Sequence, residues 1–260
     1  MLWFIFYKSE LLLKCEADGT YTIPQGSISP IETNSEIFVH NVSPMTDGTE
    51  VRTFSVDSSQ INRNDLCFCS LRESFYKISL PLYLKAGKCS EILHWDKNSR
   101  YCGLCGAPMK LYTDISKRCT SCENEIWPNL AIAVIILIYR DDEILLVKSR
   151  NFKGSYYGLV AGFVETGESV EEAAIREIRE EVGISIKSLE YTMSQPWPYP
   201  SGLMIGFKAE YEKGEIQLQI SELIDGGWYK IDKLPELPGK MGIARKMVDS
   251  WVSDKLKTKN

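Results

Sequence analysis

Residues 162 to 184 restrict this chain more than any other stretch. Ser169 followed three residues later by Glu172 is a capping box, which predicts a helix starting there, and Gly183 is placed to end it in a left-handed conformation. At about 100° per residue, Glu177, Glu180 and Glu181 fall on one side, while Ile175, Ile178 and Val182 gather on a neighbouring apolar stripe. Like charges at i,i+4 destabilise a helix by roughly 0.2–0.5 kcal/mol, so three carboxylates in one turn call for a cation. Hard oxygen ligands at this density suit Mg²⁺ or Mn²⁺, which keep several waters and bridge to substrate phosphates. The plain alternative is an acidic face turned to solvent.

The spacing favours the first reading. Gly162, five residues, Glu168, seven residues, then Arg176, Glu177, Ile178, Glu180, Glu181, Gly183 and Ile184 fill every fixed position of G-x5-E-x7-R-E-U-x-E-E-x-G-U, with U aliphatic. The segment therefore resembles the catalytic loop and helix of the Nudix family. That resemblance implies an α/β/α sandwich with a mixed sheet and a pyrophosphohydrolase reaction. The order of the C-terminal half fits such a sandwich: an apolar run from Leu130 to Tyr139, strands at Glu143 to Val147 and Leu159 to Val164, the acidic helix, strands near 189–194, 203–211 and 228–231, and a helix from about Gly242.

Upstream, Cys102 and Cys105 are separated by thirteen residues from Cys119 and Cys122. Two CxxC knuckles at this distance can surround one Zn²⁺ with four thiolates, leaving no open position for water, so the metal would be structural. Two redox dithiols or a pair of disulfides are the competing readings. Before the knuckles, Trp3 to Tyr7, Glu10 to Cys15, Val51 to Val56 and Asp65 to Ser70 read as strands, with a helix around Ser90 to Trp95. The whole is α/β (α+β): a small α+β N-terminal domain over 1–95, a zinc ribbon over 96–128 and a Nudix domain over 129–260. His40 and His94, the only histidines, have no recognisable second ligand nearby in sequence and read as packing or hydrogen-bonding residues.

A second motif narrows the substrate. In the stretch from Ser194 to Met204, Pro196, Pro198 and Pro200 stiffen the loop and preclude ordinary ladder pairing, which would hold Trp197 and Tyr199 as flat surfaces for bases; otherwise these aromatics simply pack on the core. The stretch is similar to the SQPWPFPxS signature of the NADH pyrophosphatase family, which also carries a four-cysteine ribbon before its Nudix domain. Here Tyr199 stands for Phe, and Gly202 stands where Ser is common.

Carried over from that family, the resemblance makes Glu177, Glu181, Glu222 and the carbonyl of Ala161 ligands of Mg²⁺ or Mn²⁺, with Glu180 in support and Glu181 as the base. Arg176 would anchor the loop through Glu168. Substrate contacts would come from Phe163, Gln195, Pro196, Trp197, Pro198, Tyr199, Pro200, Ser201, Gly202 and Ala244, and from Trp127 across a homodimer. The implied reaction is hydrolysis of the pyrophosphate of NADH or NAD⁺ to nicotinamide mononucleotide and AMP. Removal of the NAD cap from RNA, or hydrolysis of another nucleoside diphosphate conjugate, is the nearest alternative, and a non-catalytic nucleotide- or nucleic-acid-binding module is the alternative of another class.

Composition sets the outer limits. At 260 residues and 44% hydrophobic the chain can bury more than one core, and a net charge of −5 supplies no global basic field for nucleic acid. Lys8 and Glu10 interrupt the apolar start before a signal or membrane-spanning segment could form. The expectation is a cytoplasmic enzyme with no membrane partner.

Overall fold

A ten-residue run that is apolar at nearly every position belongs in a sheet covered on both faces. In the computed structural model, which describes residues 1–32, 37–151 and 154–258, the run from 131 to 140 is that strand. The chain divides into two units, Met1–Asn129 with Pro198–Ser201, and Leu130–Trp197 with Gly202–Asn260.

In the first unit, strands β1 (Leu2–Tyr7), β2 (Glu10–Cys15), β3 (Tyr21–Thr22), β4 (His40–Val42), β5 (Val51–Val56) and β6 (Leu66–Ser70) form one sheet in the order β3-β2-β1-β5-β4, with β6 beside β2. A single-turn helix α1 (Leu71–Ser74) leads to α2 (Leu80–Asn98). This second helix is far longer than the expected 90–95 segment. Its buried positions include Gly87 and Cys89 beside Tyr83, Ala86, Ile92 and Trp95, and such small residues dilute the apolar period by which a helix is read. Buried His40 lies 3.3 Å from Asp96, and His94 meets Asn98.

The ribbon strands β7 (Met109–Thr113), β8 (Ser116–Cys119) and β9 (Glu125–Ile126) close the first unit as a three-stranded antiparallel sheet. Their buried cluster is only Cys102, Met109 and Cys119, with Ala107 and Ile126 against it. So small a core does not stabilise a fold by itself, and a metal cross-link is the usual supplement.

The second unit is built on β10 (Ala131–Arg140). It pairs with β11 (Glu143–Ser149) and β12 (Val160–Phe163) antiparallel and, further along the chain, with β14 in parallel. After helix α3 (Val170–Val182) come β13 (Ser185–Pro196), β14 (Gly202–Lys213), β15 (Leu223–Lys230) and helix α4 (Ile243–Thr258). The sheet order is β13-β14-β10-β11-β15, so it is mixed. Val134, Ile136 and Ile138 of β10 meet Ala173, Ala174, Ile178 and Val182 of α3, whereas Ile135 and Leu137 face Ile243, Met247, Val248 and Trp251 of α4. Alternate residues thus serve opposite layers, which is the expected α/β/α sandwich. Each fully buried side chain of the Ile136 kind contributes roughly 1.5–3 kcal/mol.

One expectation about the proline stretch needs correcting. Strand β13 stays in the ladder through Gln195 and Pro196, which pair with Met204 and Leu203. Pro196 can do so at the end of an edge strand, where no donor is demanded of it. Only Trp197 to Ser201 leave the sheet.

Candidate active site

Helix α3 begins where the capping box places it. The Ser169 hydroxyl accepts from the Glu172 N–H at 3.2 Å, the Glu172 carboxylate accepts from the Ser169 N–H at 2.8 Å, and Gly183 ends the helix at φ 71°. The division of its faces differs from the expected one. Glu177 and Glu181 are buried alongside Ile178 and Val182, while Ile175 is 43% exposed. The acids turn inward because β12 offers them room: a Cβ on Gly162 would lie 2.0 Å from the Glu177 carboxyl carbon. Any side chain at 162 would expel that carboxylate, which gives the glycine at the start of the motif its physical reason.

Arg176 supplies part of the cation that the acidic turn calls for. Its Nε and Nη2 donate to the two oxygens of Glu168 at 2.6 and 2.9 Å, and Nη1 donates to Glu177 at 2.8 Å and to Glu180 at 3.1 Å. Nη2 also donates to the carbonyl of Phe163 at 2.9 Å, and the Glu165 N–H donates to Glu168 at 3.0 Å. The loop between β12 and α3 is thereby tied at both ends to one guanidinium, a bidentate arrangement that lysine cannot reproduce.

Glu181 lies outside this network. Burial pushes its carboxyl up to about 8, with Glu177 and Glu222 adding to the shift and a backbone bond at Ala161 opposing it. Burial also raises Glu177, against the pull of Arg176. Glu222 comes near these acids through backbone bonds: the N–H groups of Gln217 and Gln219 donate to the carbonyls of Val182 and Glu181 at 3.0 and 2.9 Å, and the Glu222 N–H donates to Gln219 at 3.0 Å. The site therefore has two enclosed carboxylates and a third nearby whose mutual repulsion Arg176 only partly offsets. Such an oxygen-only donor set fits a hard divalent cation. The carboxylates are not drawn in as tightly as the cysteines, which are the only group of three or more metal-ligating side chains within 4.8 Å of one another among the described residues.

In the ribbon, the thiols of Cys102 and Cys122 are 3.6 Å apart, and Cys105 lies 3.4 Å from both Cys119 and Cys122. A tetrahedron with metal–sulfur bonds of about 2.3 Å has edges of about 3.8 Å, so the quartet fits one Zn²⁺. Backbone N–H groups of Leu104, Ser121 and Cys122 point at Cys102 and Cys119, and such bonds lower both thiols, Cys119 to about 6. All eight cysteines are free, which sets aside the disulfide reading.

The residues assigned to the substrate are distributed as follows. Phe163 is 65% exposed beside the loop, and Trp127, in the first unit, is 53% exposed. Gln195 is buried, donating to the Met241 carbonyl at 3.0 Å and accepting from Lys246 at 2.8 Å. Ala244 is half-buried against the α4 core. The Trp197 N–H donates to the Gly202 carbonyl at 2.7 Å, and a Cβ on Gly202 would lie 3.0 Å from the Ala131 carbonyl oxygen, so the strand pair leaves little room for a serine there. Pro198, Tyr199, Pro200 and Ser201 belong to the first unit. There, Tyr199 meets Tyr83 and Arg72. Sequence reasoning missed Lys246, Tyr83 and Arg72, because nothing in the chain marks partners 51 to 127 residues away.

Residues 129–251 match the NUDIX domain family, and residues 97–126 match the NADH pyrophosphatase zinc ribbon domain family. The NAD-capped RNA hydrolase NudC of Pseudomonas aeruginosa is 39% identical over 189 residues, covering 72% of this chain and 68% of that protein. This chain belongs to the Nudix hydrolase family. NudC of Stutzerimonas stutzeri is 40% identical over 187 residues, with the same shares covered. The crystal structure of a NUDIX hydrolase from Nitrosomonas europaea has the same fold, with a TM-score of 0.50 at 20% identity, covering 57% of this chain and 88% of that one. As a Nudix hydrolase, the chain retains every charged residue of its motif. No helix among its described residues is long and apolar enough to cross a membrane.

Proposed function

We propose that this Nudix hydrolase cleaves the pyrophosphate bond of NADH and NAD⁺, releasing nicotinamide mononucleotide and AMP. The observation that carries the reading is the pair of enclosed carboxylates, Glu177 and Glu181, with Glu222 beside them and only partial compensation from Arg176. The ribbon family match and the named relatives support a dinucleotide substrate.

Glu177, Glu181, Glu222 and the Ala161 carbonyl would hold Mg²⁺ or Mn²⁺, which would supply positive charge against the diphosphate and make water a stronger acid. Arg176 holds the loop through Glu168 and the Phe163 carbonyl, and Glu180 completes its acidic partners. Glu181, the more enclosed of the two helix acids, accepts the proton of the attacking water. Exposed Phe163 and half-buried Trp197 offer flat faces to the bases, and Gln195, Pro196, Gly202 and Ala244 shape the surroundings. Exposed Trp127 is available to a ligand within a homodimer. The N-terminal domain, ribbon and Nudix domain act as three parts of a cytoplasmic enzyme.

Removal of the NAD cap from RNA is a second reading of the same chemistry, favoured by the activity named for the relatives. The test is chromatography of products after incubation with NADH, ADP-ribose or an NAD-capped oligonucleotide, with Mg²⁺ or Mn²⁺, beside Glu177→Gln. AMP and mononucleotide from NADH, lost in the variant, are expected. Equal turnover by the variant would remove the carboxylates from their roles, and no products from any substrate would favour the binding-module reading.

A further inference from the structure

We propose that Tyr199 is a positioning residue: the first unit grips it, and through the stiff proline backbone it keeps Trp197, two residues earlier, in register for a dinucleotide. This rests on the dinucleotide reading above. The tip of the loop, Pro198 to Ser201, is part of the first unit. Within that unit the Tyr199 and Tyr83 hydroxyls are 2.8 Å apart, and the guanidinium of Arg72 lies 3.8 Å from the centre of the Tyr199 ring. That ring face is closed to a base. Tyr83 is itself 4% exposed and braced edge-on by Phe75 at 5.2 Å.

The neighbours of Tyr199 are held as firmly. Pro198 is buried on helix α2 at Gly87, where an added Cβ would come within 3.0 Å of the proline ring, and the Ser201 hydroxyl donates to the Asn129 carbonyl at 3.0 Å. Proline fixes φ near −65°, so Pro198 leaves few torsions between Tyr199 and Trp197 in which a displacement could be absorbed. The bond from the Trp197 N–H to the Gly202 carbonyl closes the loop at its base. The hydroxyl by which Tyr199 departs from the family phenylalanine is therefore the atom that binds the tip, and the first unit acquires a role as its socket.

A double-mutant cycle tests this. Tyr83→Phe, Tyr199→Phe, the double variant and Gly87→Ala are compared with wild type for KM and kcat on NADH with Mg²⁺, for NADH binding in EDTA, and for Tm. One buried hydrogen bond corresponds to a change of about threefold to tenfold. Each single change is expected to raise KM and Kd by that amount while kcat stays within about twofold, and the double variant should be no worse than the worse single. Gly87→Ala favours the helix, so it should fold and still raise KM by crowding Pro198. Effects that multiply, an effect of Tyr199→Phe without one of Tyr83→Phe, or an unchanged Gly87→Ala would overturn the proposal. Wild-type protein that binds NADH without cleaving it refutes the reaction and leaves the Kd cycle to decide the anchor. Protein that neither binds nor cleaves it overturns both.

Discussion

The carboxyl of Glu181 should make the metal-free protein less stable at neutral pH than an uncharged residue would. Its folded-state value of about 8 lies above the ordinary 4.5. A raised value means that the folded chain binds the proton more tightly. The contribution to stability is therefore fully present below about pH 4.5 and is lost as pH rises through about 8. Between pH 4.5 and 7 the loss amounts to about 3 kcal/mol, an order-of-magnitude figure. Glu181→Gln keeps the shape and removes the titration. In EDTA the variant should gain on wild type by about 3 kcal/mol across that interval, or roughly 6–12 °C in Tm for a domain of this size. Differential scanning fluorimetry of both proteins from pH 4 to 8 measures the difference, in which the other titrating groups largely cancel. Added Mg²⁺ or Mn²⁺ should raise the Tm of wild type more than that of the variant, because a ligand of the folded state stabilises it by mass action. A Tm difference independent of pH, or a variant less stable than wild type at pH 7 in EDTA, would refute the reasoning.

Three further outcomes follow from the same geometry. Gly162→Ala should abolish turnover and weaken divalent-metal binding, as read by metal titration, since its Cβ would displace the Glu177 carboxylate from 2.0 Å away. Arg176→Lys should lower kcat roughly 10–100-fold, the usual penalty for disturbing a partner of metal-binding groups, while zinc content is unchanged; full activity would show that the fork to Glu168 is dispensable. Cys119→Ser should reduce bound zinc from one ion per chain and expose the ribbon to limited proteolysis, because the buried cluster of Cys102, Met109 and Cys119 is too small to hold it; an intact ribbon without zinc would contradict this.

Much of the molecule was legible before its structure. The capping box and the left-handed Gly183 appear where their patterns place them, and the apolar run from Leu130 to Tyr139 appears as β10, Ala131–Arg140, because each is a rule about neighbours within one turn or one strand. The four cysteines converge for the same reason: a knuckle is local, and the hairpin of β7 and β8 needs only a short loop to bring the second to the first. Helix α2 was underestimated where Gly87 and Cys89 interrupt its apolar period. The faces of α3 were assigned by residue type, with Ile175 inside and Glu177 outside, and the protein does the reverse.

The sequence by itself carried the helix with its acids, the paired cysteine knuckles and the alternation of apolar strands and helices, since these depend on spacings that the backbone geometry of a single element converts into shared faces. The reaction class and the candidate ligands it carried through its resemblance to the Nudix family. Only the tertiary structure decided which acids are enclosed, because that depends on Gly162 of another strand leaving room for Glu177. It alone brought Glu222 toward Glu181 and Tyr83 to Tyr199. Residues 41 and 116 positions apart meet through the packing of elements between them, and no local periodicity records such a meeting.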